Sequence, residues 1–442
     1  MSFCDLRFIV LLLPLFAAVY RFIPQRFRTP LMLGASLALY FCQASALTLP
    51  GLLVMPTVGL LTFGACAAIK RFEKYRKPIF IATVAVLAAV LGCFKYIAGG
   101  ESMPAGISFY IFTAISCAAD FFRKPDRELS PLKFGAYFTM YPKLMSGPLA
   151  RYDDVTAQLD GHAPALYDIA EGTRLFITGL AAKTLLADML GRTWKQICAV
   201  GFESISTPLA WLGAFAFSMQ LYFDFHGYSL MACGMARMLG IGLPRNFDYP
   251  YMSRSMTEFW RRWHITLGQW FRDYIYIPLG GSRNGRRKML LSLLVVWLLT
   301  GIWHGATLNF AVWGLLLFAI IAAEKLWLGK HLDAHPRLAR IYLLVLVPLS
   351  WMVFANTGFG DMLTYISRML IPAGDPTDVL RFVRTSALSF CAGALCCTPL
   401  PRKWLEPWRE KIPGTVVYAL LLAASIYVIC RMGNDPFMYF SF

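Results

Sequence analysis

Met289–Ala323 reads MLLSLLVVWLLTGIWHGATLNFAVWGLLLFAIIAA and contains no Asp, Glu, Lys or Arg. A helix needs about 20 mostly apolar residues to cross a bilayer, so this stretch holds two candidate spans in succession, 289–304 and 306–323. Its one titratable side chain is His304, set in Gly301-Ile302-Trp303-His304-Gly305-Ala306. An ionisable residue at membrane depth is costly and reads as functional by default; packing against a neighbouring helix is the other reading. Gly301, Gly305 and Ala306 are small enough to let a helix or a substrate come close.

Working outward, the same pattern recurs along most of the chain. The 442 residues are 57% hydrophobic and 15% charged, against about 25% charged in soluble proteins. Further candidate spans are 6–23, 30–48, 51–69, 78–97, 104–122, 166–190, 207–223, 226–241, 341–357, 379–399 and 414–431, from which we expect about eleven crossings. The segment 131–150 contains Pro142, Gly147 and Pro148 and reads as re-entrant, which is tolerated at depth only where protein surrounds it. The apolar run Leu6–Tyr20 is followed by Arg21, Pro24, Arg26 and Arg28 rather than a small-residue cleavage site, and reads as a retained first helix. With no internal repeat or linker, residues 1–442 read as one membrane domain.

The net charge of +17 is spread between the apolar runs. That distribution fits positive-inside topology rather than nucleic-acid binding. Basic clusters at Arg21–Arg28, Lys70–Lys77, Arg123–Arg127 and Arg283–Lys288 alternate with a turn at 48–51 and a loop around Glu101 that lack Lys and Arg. The alternation places the N-terminus outside. The eleven cysteines lie mostly within apolar runs and form no CxxC pair, so a metal site or disulfide framework is not expected. His331 and His335 sit in a basic loop with Asp333 and read as solvated.

Upstream of the histidine, Arg245–Arg283 reads RNFDYPYMSRSMTEFWRRWHITLGQWFRDYIYIPLGGSR. Trp260, Trp263, His264, Leu267, Phe271 and Tyr274 fall at helical spacing. Glu258, Arg261, Arg262, Gln269, Arg272 and Asp273 fill most of the other positions. The pattern predicts a helix lying in the membrane interface, rings in the acyl boundary and arginines at the headgroups.

These two regions together resemble the membrane-bound O-acyltransferase superfamily, in its bacterial AlgI/DltB-like branch of alginate O-acetylation and D-alanyl transfer proteins. The likeness extends to Pro104-Ala105-Gly106-Ile107-Ser108-Phe109-Tyr110 with Asp120 downstream, to Tyr141-Pro142-Lys143 through Gly147-Pro148 and Arg151-Tyr152, and to Gln220-Leu221-Tyr222-Phe223-Asp224-Phe225. The ending Asp435-Pro436-Phe437-Met438-Tyr439-Phe440-Ser441-Phe442 is similar too. Residues 104–323 carry most of the motifs. This chain departs from the branch at His226, where Ser often stands.

The resemblance implies an all-α fold of about eleven spans, with interfacial and re-entrant helices, around a central tunnel. It implies that His304 is catalytic and His264 supports it. Trp303, Asn309, Ser108, Asp224 and His226 are candidate tunnel or substrate groups, and Trp260, Arg261, Arg262 and Trp263 form the interfacial helix. No metal or tightly bound cofactor is expected. The donor would be an acyl thioester, acetyl-CoA or an acyl-carrier protein, arriving from the cytoplasm. The acetyl group would pass across a bacterial inner membrane to an extracytoplasmic polysaccharide, through an SGNH-type acetyltransferase or esterase partner. D-Alanyl transfer to a cell-wall polymer, or non-enzymatic transport in polysaccharide secretion, are the alternatives. Against transport, no paired halves with matching broken helices are visible.

Overall fold

A computed structural model describes residues 3–43, 49–97, 103–161, 163–433 and Phe437; Thr48, the loop at 98–102 and the rest of the C-terminal motif lie outside the described residues. Among the described residues every regular element is a helix. The chain groups into two compact units: Met1–Gly179 with Tyr228–Arg245, and Leu180–Gly227 with Asn246–Phe442.

The first unit holds α1 (Leu13–Phe22), α2 (Gln25–Gln43), α3 (Leu49–Arg71), α4 (Arg76–Gly92), α5 (Ile107–Arg123), α6 (Pro131–Thr139), α7 (Tyr141–Leu144), α8 (Tyr152–Leu159) and most of α9 (Leu166–Ala181). Helix α5 packs against α3 and α4 and is buried along nearly its whole length. The chain enters it through Gly106 at φ 75°, where a Cβ would lie 2.5 Å from the Leu144 carbonyl oxygen. Glycine alone takes that conformation and that approach without strain. The expected re-entrant segment is two short helices broken at Met140, and Tyr141 to Pro148 are buried in protein.

The second unit contains α10 (Asp188–Val200), α12 (Met256–Arg262), α13 (Ile265–Phe271), α14 (Gly285–His304), α15 (Leu308–Ala323), α16 (Gly329–Ala334), α17 (Pro336–Ala355), α18 (Phe359–Leu370), α19 (Val379–Cys396), α20 (Leu400–Leu405) and α21 (Ile412–Met432). Helix α11 (Thr207–Met238) contributes to both units. It replaces two expected spans, 207–223 and 226–241, with one continuous helix. Gly227 does not interrupt it, because a single glycine in a helix costs only about 1 kcal/mol. The expected span 166–190 likewise continues to Val200 through a widened turn at Ala182–Ala187.

Seven helices among the described residues are long and apolar enough to cross a membrane: Gly51–Arg71, Glu73–Ile97, Gly285–His304, Leu308–Ala334, Pro336–Ala355, Pro376–Cys396 and Ile412–Met432. The chain is a multi-pass membrane protein.

Helices α14 and α15 pack closely against each other along their length. Glycines set their spacing. A Cβ on Gly314 would lie 2.5 Å from the Trp297 carbonyl oxygen, and one on Gly301 would run into the Phe310 carbonyl. Small residues that let backbones touch are the usual basis of helix association in lipid. Gly314→Val should therefore force the pair apart and destabilise the protein by about 1–3 kcal/mol. A lower thermal unfolding midpoint in detergent, relative to wild type, would register it.

Candidate functional site

His304 is the last residue of α14, and Gly305 leaves the helix in an extended conformation. His304 is partly exposed, and its imidazole is walled by rings. Its centroid lies 4.4 Å from Trp303, 4.9 Å from Phe354, 5.4 Å from Trp313 and 6.1 Å from Phe310. Gly305 is what admits Phe310, since a Cβ there would overlap the Phe310 ring edge. Of the predicted residues, Trp303 is thus in the wall. Asn309 is buried beneath it, donating to the carbonyls of Val353 (3.2 Å) and Phe354 (3.0 Å) and accepting from the Thr307 hydroxyl. Both amide hydrogens of Asn309 are committed to α17, so here the residue fixes Phe354.

The wall continues into a tryptophan cluster. Trp313 stacks on Trp351 at 5.8 Å, and Trp260 reaches Trp297, Trp313 and Trp351 at 5.1–5.7 Å. Trp263 lies 5.1 Å from Trp351. These rings face protein, which corrects the expectation that Trp260 and Trp263 enter the lipid boundary. The single amphipathic helix is also corrected. It breaks at Trp263, which is extended, and at His264, which is left-handed at φ 42°. The break is stabilised from outside the helix. Ile265 N–H donates to the Asn246 carbonyl, Asp248 N–H donates to the Arg262 carbonyl, and Asn246 Oδ1 accepts from Thr266 N and Oγ1. Periodicity cannot register such long-range partners. Arg261 is exposed, while Arg262 pairs with Glu258 at 2.8 Å and donates to the Asp248 carbonyl.

His264 is buried, and its Nδ1 lies 3.2 Å from Asn246 Oδ1. That oxygen already accepts from Thr266, so Nδ1 carries the proton and Nε2 holds the lone pair. Burial lowers the His264 pKa to about 3, leaving the ring neutral in ordinary conditions. A run of ring contacts, Phe225, Phe247, Trp263, Trp351 and Phe354, connects His264 with His304, each step between 4.6 and 5.6 Å. His226 joins the run, 5.4 Å from Phe247 and stacked on Tyr222.

Asp224 is buried in an ion triad: Lys183 Nζ lies 2.7 Å from both Asp224 Oδ1 and Asp188 Oδ1. A lysine inside the apolar run LAAKTLLAD was the sequence signal for this partner, because a buried charge needs a counter-charge. Ser108 is buried in the first turn of α5, in the first unit.

Glu324 was missed. Just beyond α15, its carboxylate is buried and accepts four hydrogen bonds: Met256 N (2.7 Å), Thr257 N (2.8 Å), Thr257 Oγ1 (2.6 Å) and Tyr342 Oη (2.9 Å). It ties the start of α12 and the middle of α17 to α15, the helices that carry Trp260, Trp351 and Trp313. An acidic residue ending a long apolar run was the available signal.

The membrane-bound O-acyltransferase family model matches residues 120–356. The chain is 35% identical over 381 residues to the probable alginate O-acetylase AlgI of Azotobacter vinelandii, covering 80% of this chain and 75% of that one. It is 31% identical to the Pseudomonas putida AlgI over 496 aligned positions, covering both chains in full. It is 32% identical over 249 residues to the Helicobacter pylori peptidoglycan O-acetyltransferase, covering 54% of this chain and 46% of that one.

Removing the Glu324 carboxylate should strand buried donors. Glu324→Ala is expected to lower stability by about 2–4 kcal/mol and to shift tryptophan emission to the red as the cluster loosens. Unfolding and fluorescence measured on one sample check both.

Proposed function

We propose the following reaction for a chain that belongs to the membrane-bound O-acyltransferase family: His304 acts as general base in transferring an acetyl group from a thioester donor to a hydroxyl. An O-acyltransferase must make a hydroxyl nucleophilic near neutral pH. A neutral imidazole can do so by taking its proton. In this scheme the His304 lone pair takes the hydroxyl proton as its oxygen attacks the thioester carbonyl. The C–S bond breaks, and the thiolate leaves with the proton returned by the imidazolium. The observation that carries the reading is the position of His304. It ends a span, partly exposed, at a glycine break between two helices held in backbone contact. Apolar rings on its walls exclude water from the reacting groups.

His264 has a supporting role in this reading: its break in the chain fixes Trp263 against Trp351. About eleven crossings follow if α2, α5, the run from α9 and α11 join the seven most apolar spans. The positive-inside rule then places the N-terminus outside the cytoplasm. The donor, acetyl-CoA or an acetylated carrier protein, arrives on the cytoplasmic side. The acetyl group leaves toward an extracytoplasmic polysaccharide through an SGNH-type partner, in keeping with the relatives named alginate O-acetylases.

His304→Ala should leave membrane insertion and the unfolding midpoint unchanged while lowering acetyl transfer by about 10²–10⁴-fold. Mass measurement of ester groups on cell-surface glycan, in a strain without paralogues, reads the outcome. Undiminished esters would overturn the assignment.

A further inference from the structure

Two adjoining cavities in the second unit lie away from His304. One, of about 470 Å³, is lined by Arg254, Arg262 and Arg340 with Glu258, Asp333 and Tyr249. The other, of about 240 Å³, is apolar and lies among Phe215, Tyr251, Leu344, Pro348 and Ala394. Met252 and Arg340 line both, so the cationic mouth adjoins the apolar slot.

The polar mouth has a cationic surplus. Arg262 is paired with Glu258, but Arg254 and Arg340 are in no ion pair among the described residues, and both are exposed. Two guanidiniums facing one cavity, opposed by Asp333, present a bidentate site for a phosphodiester.

The register of α17 gives the depth. Arg340 sits near the start of this membrane span, Leu344 one turn further and Pro348 a turn beyond that. Each four-residue step descends about 6 Å. The mouth therefore lies at a helix end, where headgroups meet protein, and the slot runs down the same span to acyl depth. Leu344 is 44% exposed, so the slot opens sideways rather than into a sealed core.

We propose that this paired cavity is a binding site for an anionic glycerophospholipid, its phosphate on Arg254 and Arg340 and one acyl chain between α11, α17 and α19. Basic pockets between membrane helices recognise such headgroups. A soluble phosphate compound would satisfy the mouth but leave the slot unfilled. Because Met252, Ser255 and Glu258 border the mouth, bound lipid also braces the entry to α12.

The test uses the full chain in neutral detergent, titrated separately with phosphatidylglycerol, phosphatidylcholine and the soluble phosphodiester glycerophosphoglycerol, with binding read by native mass spectrometry and by the unfolding midpoint. Phosphatidylglycerol is expected to bind and raise the midpoint. Phosphatidylcholine and glycerophosphoglycerol are expected not to. The double variant Arg254→Gln, Arg340→Gln should bind phosphatidylglycerol roughly 30-fold more weakly. Leu344→Trp, which keeps both arginines and fills the slot, should also lose the shift. The proposal is overturned if phosphatidylglycerol binds the double variant as tightly as wild type, or if phosphatidylcholine matches it. It is equally overturned if glycerophosphoglycerol, the headgroup without acyl chains, reproduces the shift, because the mouth would then serve a soluble phosphate.

Discussion

The contact on which the rest of the site depends is the approach of the α14 backbone to the α15 backbone. Gly301 and Gly314 let main chain meet main chain, and Gly305 lets the Phe310 ring slide beneath His304. In lipid no hydrophobic effect drives helices together, so close packing must supply the attraction. The spacing fixed there sets the depth of the histidine and the positions of Phe310 and Trp313. Asn309 extends the arrangement to α17, binding two consecutive carbonyls so that Phe354 closes the remaining wall.

A second constraint acts on the segment leading to this pair. A left-handed residue without glycine's freedom costs about 1–3 kcal/mol and persists only where its surroundings hold it. At His264 the holder is Asn246, whose backbone carbonyl and side-chain oxygen together receive Ile265, Thr266 and the imidazole. Glu324 restrains the other end of α12. The short helix is thus gripped at both ends by single polar side chains, and its indoles fill the space between α14, α15 and α17.

Much of this was legible in the sequence and some was not, for definite reasons. Long apolar runs marked α3, α4, α14, α15, α17, α19 and α21, because the length needed to cross a bilayer is itself a constraint. His304 stood out because a lone ionisable group in such a run is rarely neutral to function. The break at Trp263–His264 was invisible: Trp260, Trp263, His264 and Leu267 keep helical spacing on paper, and the hydrogen bonds that break the helix come from Asn246. The aromatic wall was half legible. Trp303 is adjacent in sequence, but Trp313, Trp351 and Phe354 arrive by packing, and one aromatic among 34 Phe, 20 Tyr and 12 Trp carries little signal. Asp224 was singled out as a tunnel or substrate candidate, and its pairing with Lys183 was not legible because it required two helices to meet.

The distribution of polar groups in the second unit argues for a division of labour. Asp224 and Asp188 each meet Lys183, and Glu324 accepts four hydrogen bonds while only 6% exposed. A carboxylate so engaged has its oxygens committed to holding the fold together. His264 is neutral but 5% exposed, with Nδ1 bound to Asn246. His304 differs in being partly exposed at a chain break, with rings for walls. A base must be reachable by its substrate as well as correctly protonated. Reachability is what separates His304 from the buried polar groups of this unit.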